Sequence, residues 1–153
     1  MKSFFHALLS AVIFTALSIA SGSAPAADMR DEIVQVPMKG WMFTVNLTTR
    51  IYAPPGDGPF PLVVINHGKA EGNPSEQKDD PYYFQAIEFV RRGYAVVVPT
   101  REGFGSSGGV YFKSNCNVAN GARHWADSIQ AAIDYARTLP YVDSTHIVVI
   151  GQS

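Results

Sequence analysis

The hydrophobic pattern changes character twice along the chain. Residues 7–20, ALLSAVIFTALSIA, form one uncharged apolar run. Residues 31–53 then alternate. In EIVQVPM, Val34, Val36 and Met38 oppose Ile33, Gln35 and Pro37. In FTVNLTTRI, Phe43, Val45, Leu47, Thr49 and Ile51 share one side, and Gly40 permits a turn between the two stretches. Alternation with a period of two marks half-buried strands, here an antiparallel pair. APPGDGPFP (53–61) is rich in Pro and Gly and predicts a loop.

After that loop the strands read differently. LVVIN (62–66), YAVVV (94–98) and HIVVI (146–150) are short, continuous and rich in Val and Ile. Such runs suit strands buried on both faces of a parallel sheet. Helical spacing separates them. Asp80-Pro81 predicts an N-cap followed by proline at the first helical position, and Tyr83, Ile87 and Val90 recur on one face. Arg91-Arg92 is expected in the last turn, with Gly93 as the stop. A second helix is predicted from about Ala122 to Leu139, ended by Pro140. Ala122, Trp125, Ile129, Ala132, Ile133 and Ala136 form its apolar face, while Arg123, Asp127, Gln130, Asp134 and Arg137 face water. Two βαβ units behind antiparallel leading strands make the fold class α/β, with helices on the faces of a mostly parallel sheet.

Composition adds a boundary. Residues 1–26 combine Lys2, the apolar run and SGSAPA, whose Ala24 and Ala26 make an A-x-A cleavage pattern. This predicts a secretory signal peptide over 1–26 and a mature segment over 27–153. The run is short for a membrane span, which needs about 20 apolar residues, so no stable membrane anchor is expected after cleavage. The expected location is secreted or periplasmic. The net charge of −1 gives no basis for a nucleic-acid partner. Cys116 is the single cysteine, so no internal disulfide can form.

In an open parallel sheet, ligands bind beyond the carboxyl ends of the strands. Three strands here end in unusual loops: HGKAEGN, PTREGFGSSGG and GQS. A serine can attack a carbonyl when a base takes its proton and a tight strand-to-helix turn projects its hydroxyl. Gly151-Gln152-Ser153 supplies three positions of G-x-S-x-G after a strand. Attack on a carbonyl builds negative charge on oxygen, and backbone N–H groups aimed there stabilise it. Gly68 would let the backbone approach, and the Lys69 N–H is the candidate donor. His67 is expected to brace this loop by bonding to backbone rather than to act as the base. Gly103-Phe104-Gly105-Ser106-Ser107-Gly108 matches G-x-G-x-x-G, but Pro99–Glu102 intervene and no helix pattern follows at once. A dinucleotide site is therefore disfavoured, and no cofactor or metal is expected.

Together, VVINHGKAEGN, RRGYAVVVPTREGFGSSGG and HIVVIGQS resemble the α/β-hydrolase superfamily, within it the dienelactone-hydrolase-like and prolyl-oligopeptidase-like group. The resemblance spans about residues 33–153, the first half of such a domain. It implies Ser153 as nucleophile, Lys69 as the first oxyanion donor with Gly68 in the oxyanion loop, and REGFGSSGG as the pocket rim. Arg101 would brace the sheet end by ion pairing or touch substrate. Many members carry an Asp where Pro99-Thr100 stand, and dienelactone hydrolases proper use a cysteine nucleophile. Serine therefore points to an esterase acting on a small-molecule carboxylic ester, with a prolyl-oligopeptidase-like peptidase as the alternative.

The family's acid and histidine follow the nucleophile. Here His124 falls on the polar side of the second helix and His146 at the amino end of a strand, both expected as solvated surface groups. The expectation is an N-terminal half of a hydrolase domain, cut off after the nucleophile strand and inactive by itself. A non-catalytic α/β binding domain and a nucleotide-dependent oxidoreductase are the competing readings.

Overall fold

The computed structural model describes residues 28–40 and 42–152, so the predicted signal peptide lies outside the described residues. Five strands form one sheet in the order β1-β2-β4-β3-β5. They are β1 Arg30–Lys39, β2 Thr44–Ala53, β3 Phe60–Asn66, β4 Ala95–Pro99 and β5 Val142–Gly151. β1 pairs antiparallel with β2, placing Val36 opposite Leu47, and β2 pairs antiparallel with β4. β3 runs parallel to both β4 and β5. The continuous apolar strands β3, β4 and β5 pair in parallel with one another, and β4 joins them to the antiparallel pair through β2.

Successive side chains of a strand point to opposite faces. Leu62 and Val64, with Ile51 and Val97, pack under Ala132, Ile133 and Ala136 of helix α2, Val118–Ala136. Val63 and Ile65, with Tyr52, Val96 and Val98, pack under Ala86 and Val90 of helix α1, Tyr83–Val90. Both faces are covered, which is why Leu62–Ile65 and Ala95–Val98 are apolar throughout. Each fully buried Val, Leu or Ile in these layers contributes roughly 1.5–3 kcal/mol relative to exposure.

Several boundaries differ from expectation, each for a local reason. α1 begins at Tyr83, not at Pro81. Asp80 Oδ1 accepts from the Tyr82 N–H at 2.9 Å, and Tyr82 itself sits at φ 45°, outside the helix. The aspartate therefore closes a turn ahead of the helix instead of capping it. Arg91 lies one residue past α1, and Gly93, at φ 85°, completes the exit. Arg91 and Arg92 both pair with Glu88 on the exposed side. α2 starts four residues before the expected Ala122, because Asn117 Oδ1 accepts from the Asn120 N–H at 3.0 Å and caps it. Ala122 is exposed, and Gly121 and Ser128 take the buried places at the front of the apolar face.

β5 also departs from expectation. It is one of the two edge strands of the described sheet, with β1 at the other edge, and Val148 and Val149 are 45% and 52% exposed. Adjacent residues face opposite sides, so both faces of β5 carry open apolar surface among the described residues. The strand begins at Val142, four residues before His146, and the offset is taken up by an irregular register at Pro61/Leu62. None of the described helices is long and apolar enough to cross a membrane.

Candidate active site

The parallel strands bring three loops to one edge. β3 leads into His67-Gly68-Lys69, β4 into Thr100–Gly109, and β5 ends at Gly151. The pairing of Asn66 with Gly151 places the two strand ends level, and the Gln152 N–H donates to Asn66 O at 3.0 Å. A cavity of about 410 Å³ opens here, with His67, Gly68, Lys69, Thr100, Phe104 and Gln152 in its wall. Ser153, the expected nucleophile, lies outside the described residues. The position before it is therefore brought to the expected oxyanion loop, while Gly68 and Lys69 lie in the cavity wall itself. A Cβ added at Gly151 would meet no described atom within 4 Å.

His67 braces the loop. Its Nε2 lies 3.0 Å from the Arg101 backbone N–H, which can only donate, so Nε2 accepts. Nδ1 then carries the hydrogen and donates to Gly68 O at 2.7 Å. Phe104 packs edge-on against the ring at 4.7 Å between centroids. Burial pushes the imidazole below its ordinary pKa; the bond to Gly68 works against this and the Arg101 charge works with it. Both ring nitrogens are occupied, so His67 is not available as a general base.

Arg101 corrects one expectation. It is 9% exposed, yet it forms no ion pair among the described residues. Instead Nη2 donates to Gly68 O at 3.1 Å, and the guanidinium lies 4.8 Å from the Phe104 ring centre and 5.9 Å from that of Trp125. Burial lowers its pKa from the usual arginine value. Aromatic faces replace a carboxylate as its surroundings.

The glycine-rich stretch folds as a rim, not as a phosphate loop. Ser107 Oγ donates to Thr100 O at 2.6 Å and accepts from the Thr48 N–H at 2.9 Å, and the Gly108 N–H donates to Asn46 O. Asp79 accepts from both the N–H and the hydroxyl of Ser106. Gly103 adopts φ 74°, and a Cβ there would fall 2.0 Å from Tyr111 N. α2 starts only at Val118, so no helix follows these glycines directly, as one must in a dinucleotide site. Among the described residues, no three His, Cys, Asp or Glu side chains form a metal-binding group.

The two remaining described histidines lie apart from the cavity wall. His146 is exposed and bonds to Asp143 and Thr145, as expected of a surface group. His124 is not the solvated residue expected. It is half-buried, with Nε2 3.1 Å from Glu102 Oε2 and its ring tilted over Phe112 at 4.5 Å. Tyr82 is a site residue that pattern reading missed, and Phe104 lies within the predicted rim stretch, which does not single it out. Both are buried and line the cavity. Phe104 stands at an unconstrained position of the glycine stretch, and nothing in the sequence marks Tyr82.

A profile of the X-Pro dipeptidyl-peptidase (S15) family matches residues 43–153. The chain belongs to that family. Its matched segment takes in β2 to β5 and all three loops. Solved structures share the α/β-hydrolase fold with this S15 chain. DcsB, solved in complex with its substrate analogue, is 21% identical with a TM-score of 0.58, over 81% of this chain and 37% of that one. Acetyl xylan esterase 1 from Thermoanaerobacterium sp. JW/SL YS485 is 17% identical with a TM-score of 0.52, over 82% and 45%. An α-amino acid ester hydrolase is 21% identical with a TM-score of 0.56, over 93% and 24%. The S15 chain thus spans less than half the length of each. No curated protein matches it. Family and fold together make this a hydrolase-family chain.

Proposed function

We propose that residues 27–153 form the nucleophile-bearing first part of an exported serine hydrolase, with residues 1–26 as its secretory signal. Ser153 attacks a carboxylic ester, and the Lys69 N–H holds the oxygen on which charge develops. Gly68 lets the loop approach the reacting carbonyl. The observation that carries this reading is the bond from the Gln152 N–H to Asn66 O, at the mouth of the cavity walled by Gly68 and Lys69. His67 bonds to loop backbone and His146 to Asp143, while His124 stands beside Glu102 and outside the cavity wall. On this reading the 27–153 segment alone turns over no ester, since the one described histidine in the cavity wall, His67, has both ring nitrogens bonded to backbone.

A second reading, cleavage after an X-Pro dipeptide, is favoured by the family profile over residues 43–153. Esters and peptides pass through the same acyl-serine chemistry, so the two differ in leaving group and not in the groups named here. The test is to express the complete reading frame and compare nitrophenyl esters with X-Pro nitroanilides. Fluorophosphonate labelling of Ser153, lost in Ser153→Ala together with turnover, is the expected result. A protein that hydrolyses either substrate equally well after Ser153→Ala, or that never labels at Ser153, would overturn it.

A further inference from the structure

Resting on that reading, we propose that Arg101 and His67 are positioning residues that together lock the Gly68–Lys69 peptide plane, turning the Lys69 N–H toward the cavity before substrate arrives. Three hydrogen bonds close a circuit. The Arg101 backbone N–H fixes His67 Nε2 as an acceptor at 3.0 Å. That leaves Nδ1–H to donate to Gly68 O at 2.7 Å. The Arg101 guanidinium then returns to the same carbonyl at 3.1 Å through Nη2.

A trans peptide is planar, with its C=O and N–H pointing in opposite directions. Two donors on the Gly68 carbonyl therefore dictate where the Lys69 N–H points: away from His67 and Arg101. That N–H has no acceptor among the described residues, and Lys69 lines the cavity. A peptide flip would break both bonds to Gly68 O at once and leave a buried guanidinium with neither acid nor carbonyl. Nothing else among the described residues satisfies it, since Arg101 Nε has no partner. A buried charge without a partner is costly, so the loop conformation and the arginine hold each other. A residue serving only to tie down the sheet end would be ion-paired or solvated. Among the described residues Arg101 is neither, and its one side-chain hydrogen bond there is to the peptide whose N–H matters. An oxyanion donor fixed in advance costs no reorganisation during reaction, which is the source of its effect.

The test uses the complete reading frame and the variants Arg101→Met, Arg101→Lys, His67→Gln and His67→Phe. Readouts are kcat and KM on an ester, the rate of fluorophosphonate labelling at Ser153, and Tm. Arg101→Met should lower kcat by about 10²-fold with KM little changed, as expected for loss of one oxyanion donor. Labelling should slow in parallel, because phosphonylation also builds charge on oxygen. Arg101→Lys and His67→Gln, which keep a donor, should recover at least about tenfold over Arg101→Met and His67→Phe respectively. A folded Arg101→Met protein with unchanged kcat, or variants whose losses follow Tm alone, overturns the lock. Should Arg101→Met fail to fold, the two His67 variants decide by the same comparison. Wild-type protein that never labels at Ser153 defeats the hydrolase reading itself, and the lock loses its purpose with it. Labelled wild type with unaffected variants defeats the lock alone.

Discussion

Gln152, one residue past the end of β5, is joined to Asn66, the last paired residue of β3, by a single backbone bond, N–H to O at 3.0 Å. It sets the height at which the chain leaves β5 relative to the loop that follows β3. Gln152→Pro removes the donor and leaves the Asn66 carbonyl without this bond. Labelling of Ser153 by a fluorophosphonate should fall about tenfold, the equivalent of about 1.4 kcal/mol. Gln152→Ala keeps the N–H and should stay within about threefold of wild type. Equal labelling of the Pro and Ala variants would show that this bond does not position residue 153.

The loops at this edge depend on glycine for two separable reasons. Gly72 adopts φ 90° with open space where a Cβ would go, so Gly72→Ala meets backbone strain alone. Gly103 adopts φ 74° and also abuts Tyr111, whose N would lie 2.0 Å from the new carbon. Gly72→Ala should cost about 1 kcal/mol and Gly103→Ala about 3 kcal/mol. Urea denaturation of both variants measures the difference. Matching losses would mean that the Tyr111 segment yields without resistance.

What could be read from sequence follows what leaves a periodic trace. Leu62 to Ile65 and Ala95 to Val98 are all buried, because helices cover both sheet faces, and that burial is written as unbroken apolar runs. HIVVI carries the same trace, yet Val148 and Val149 are exposed, since a run of apolar residues does not say which strand stands outermost. The start of α2 escaped because Asn117 to Gly121 contains two Asn and a Gly, poor helix formers whose role here is to cap and to fit closely under Ser114. The loops of the site were legible by type, and His67 braces backbone as expected. The partner of Arg101 was not, because a main-chain carbonyl belongs to no residue type and leaves no mark in sequence.

Ser107 ties three segments at one point. It accepts from Thr48 of β2 and donates to Thr100, just past β4. Ser107→Ala leaves the Thr48 N–H without an acceptor in a half-buried place, and should cost about 1–3 kcal/mol. The adjacent Ser106 bonds to Asp79 on the exposed side. Ser106→Ala, where water can replace the partner, should cost less than about 1 kcal/mol. Thermal melts of the pair check the order; the reverse order would mean that the rim is held through Asp79 and not through β2.

His67 should make stability depend on pH in a defined direction. Burial holds its pKa below the ordinary value, the Gly68 bond opposing and the Arg101 charge assisting. In the unfolded chain the imidazole takes up a proton near pH 6.5, whereas the folded protein resists until the pH is lower. Between those points the unfolded state binds more protons, so the contribution is fully present above about pH 6.5 and is lost as pH falls toward the folded pKa. The slope from one such group cannot exceed about 1.4 kcal/mol per pH unit. Protonated Nε2 would also confront the Arg101 N–H donor against donor, removing one arm of the circuit around Gly68. His67→Gln keeps a donor and an acceptor but does not titrate. Urea denaturation at about pH 7.5 and about pH 5.5 should show wild type losing more stability than His67→Gln as pH falls. The exposed His146 and the half-buried His124 are common to both proteins and cancel in the comparison. Parallel losses in the two proteins would mean that the imidazole takes up its proton as readily in the fold as in the unfolded chain, against its acceptor role toward Arg101.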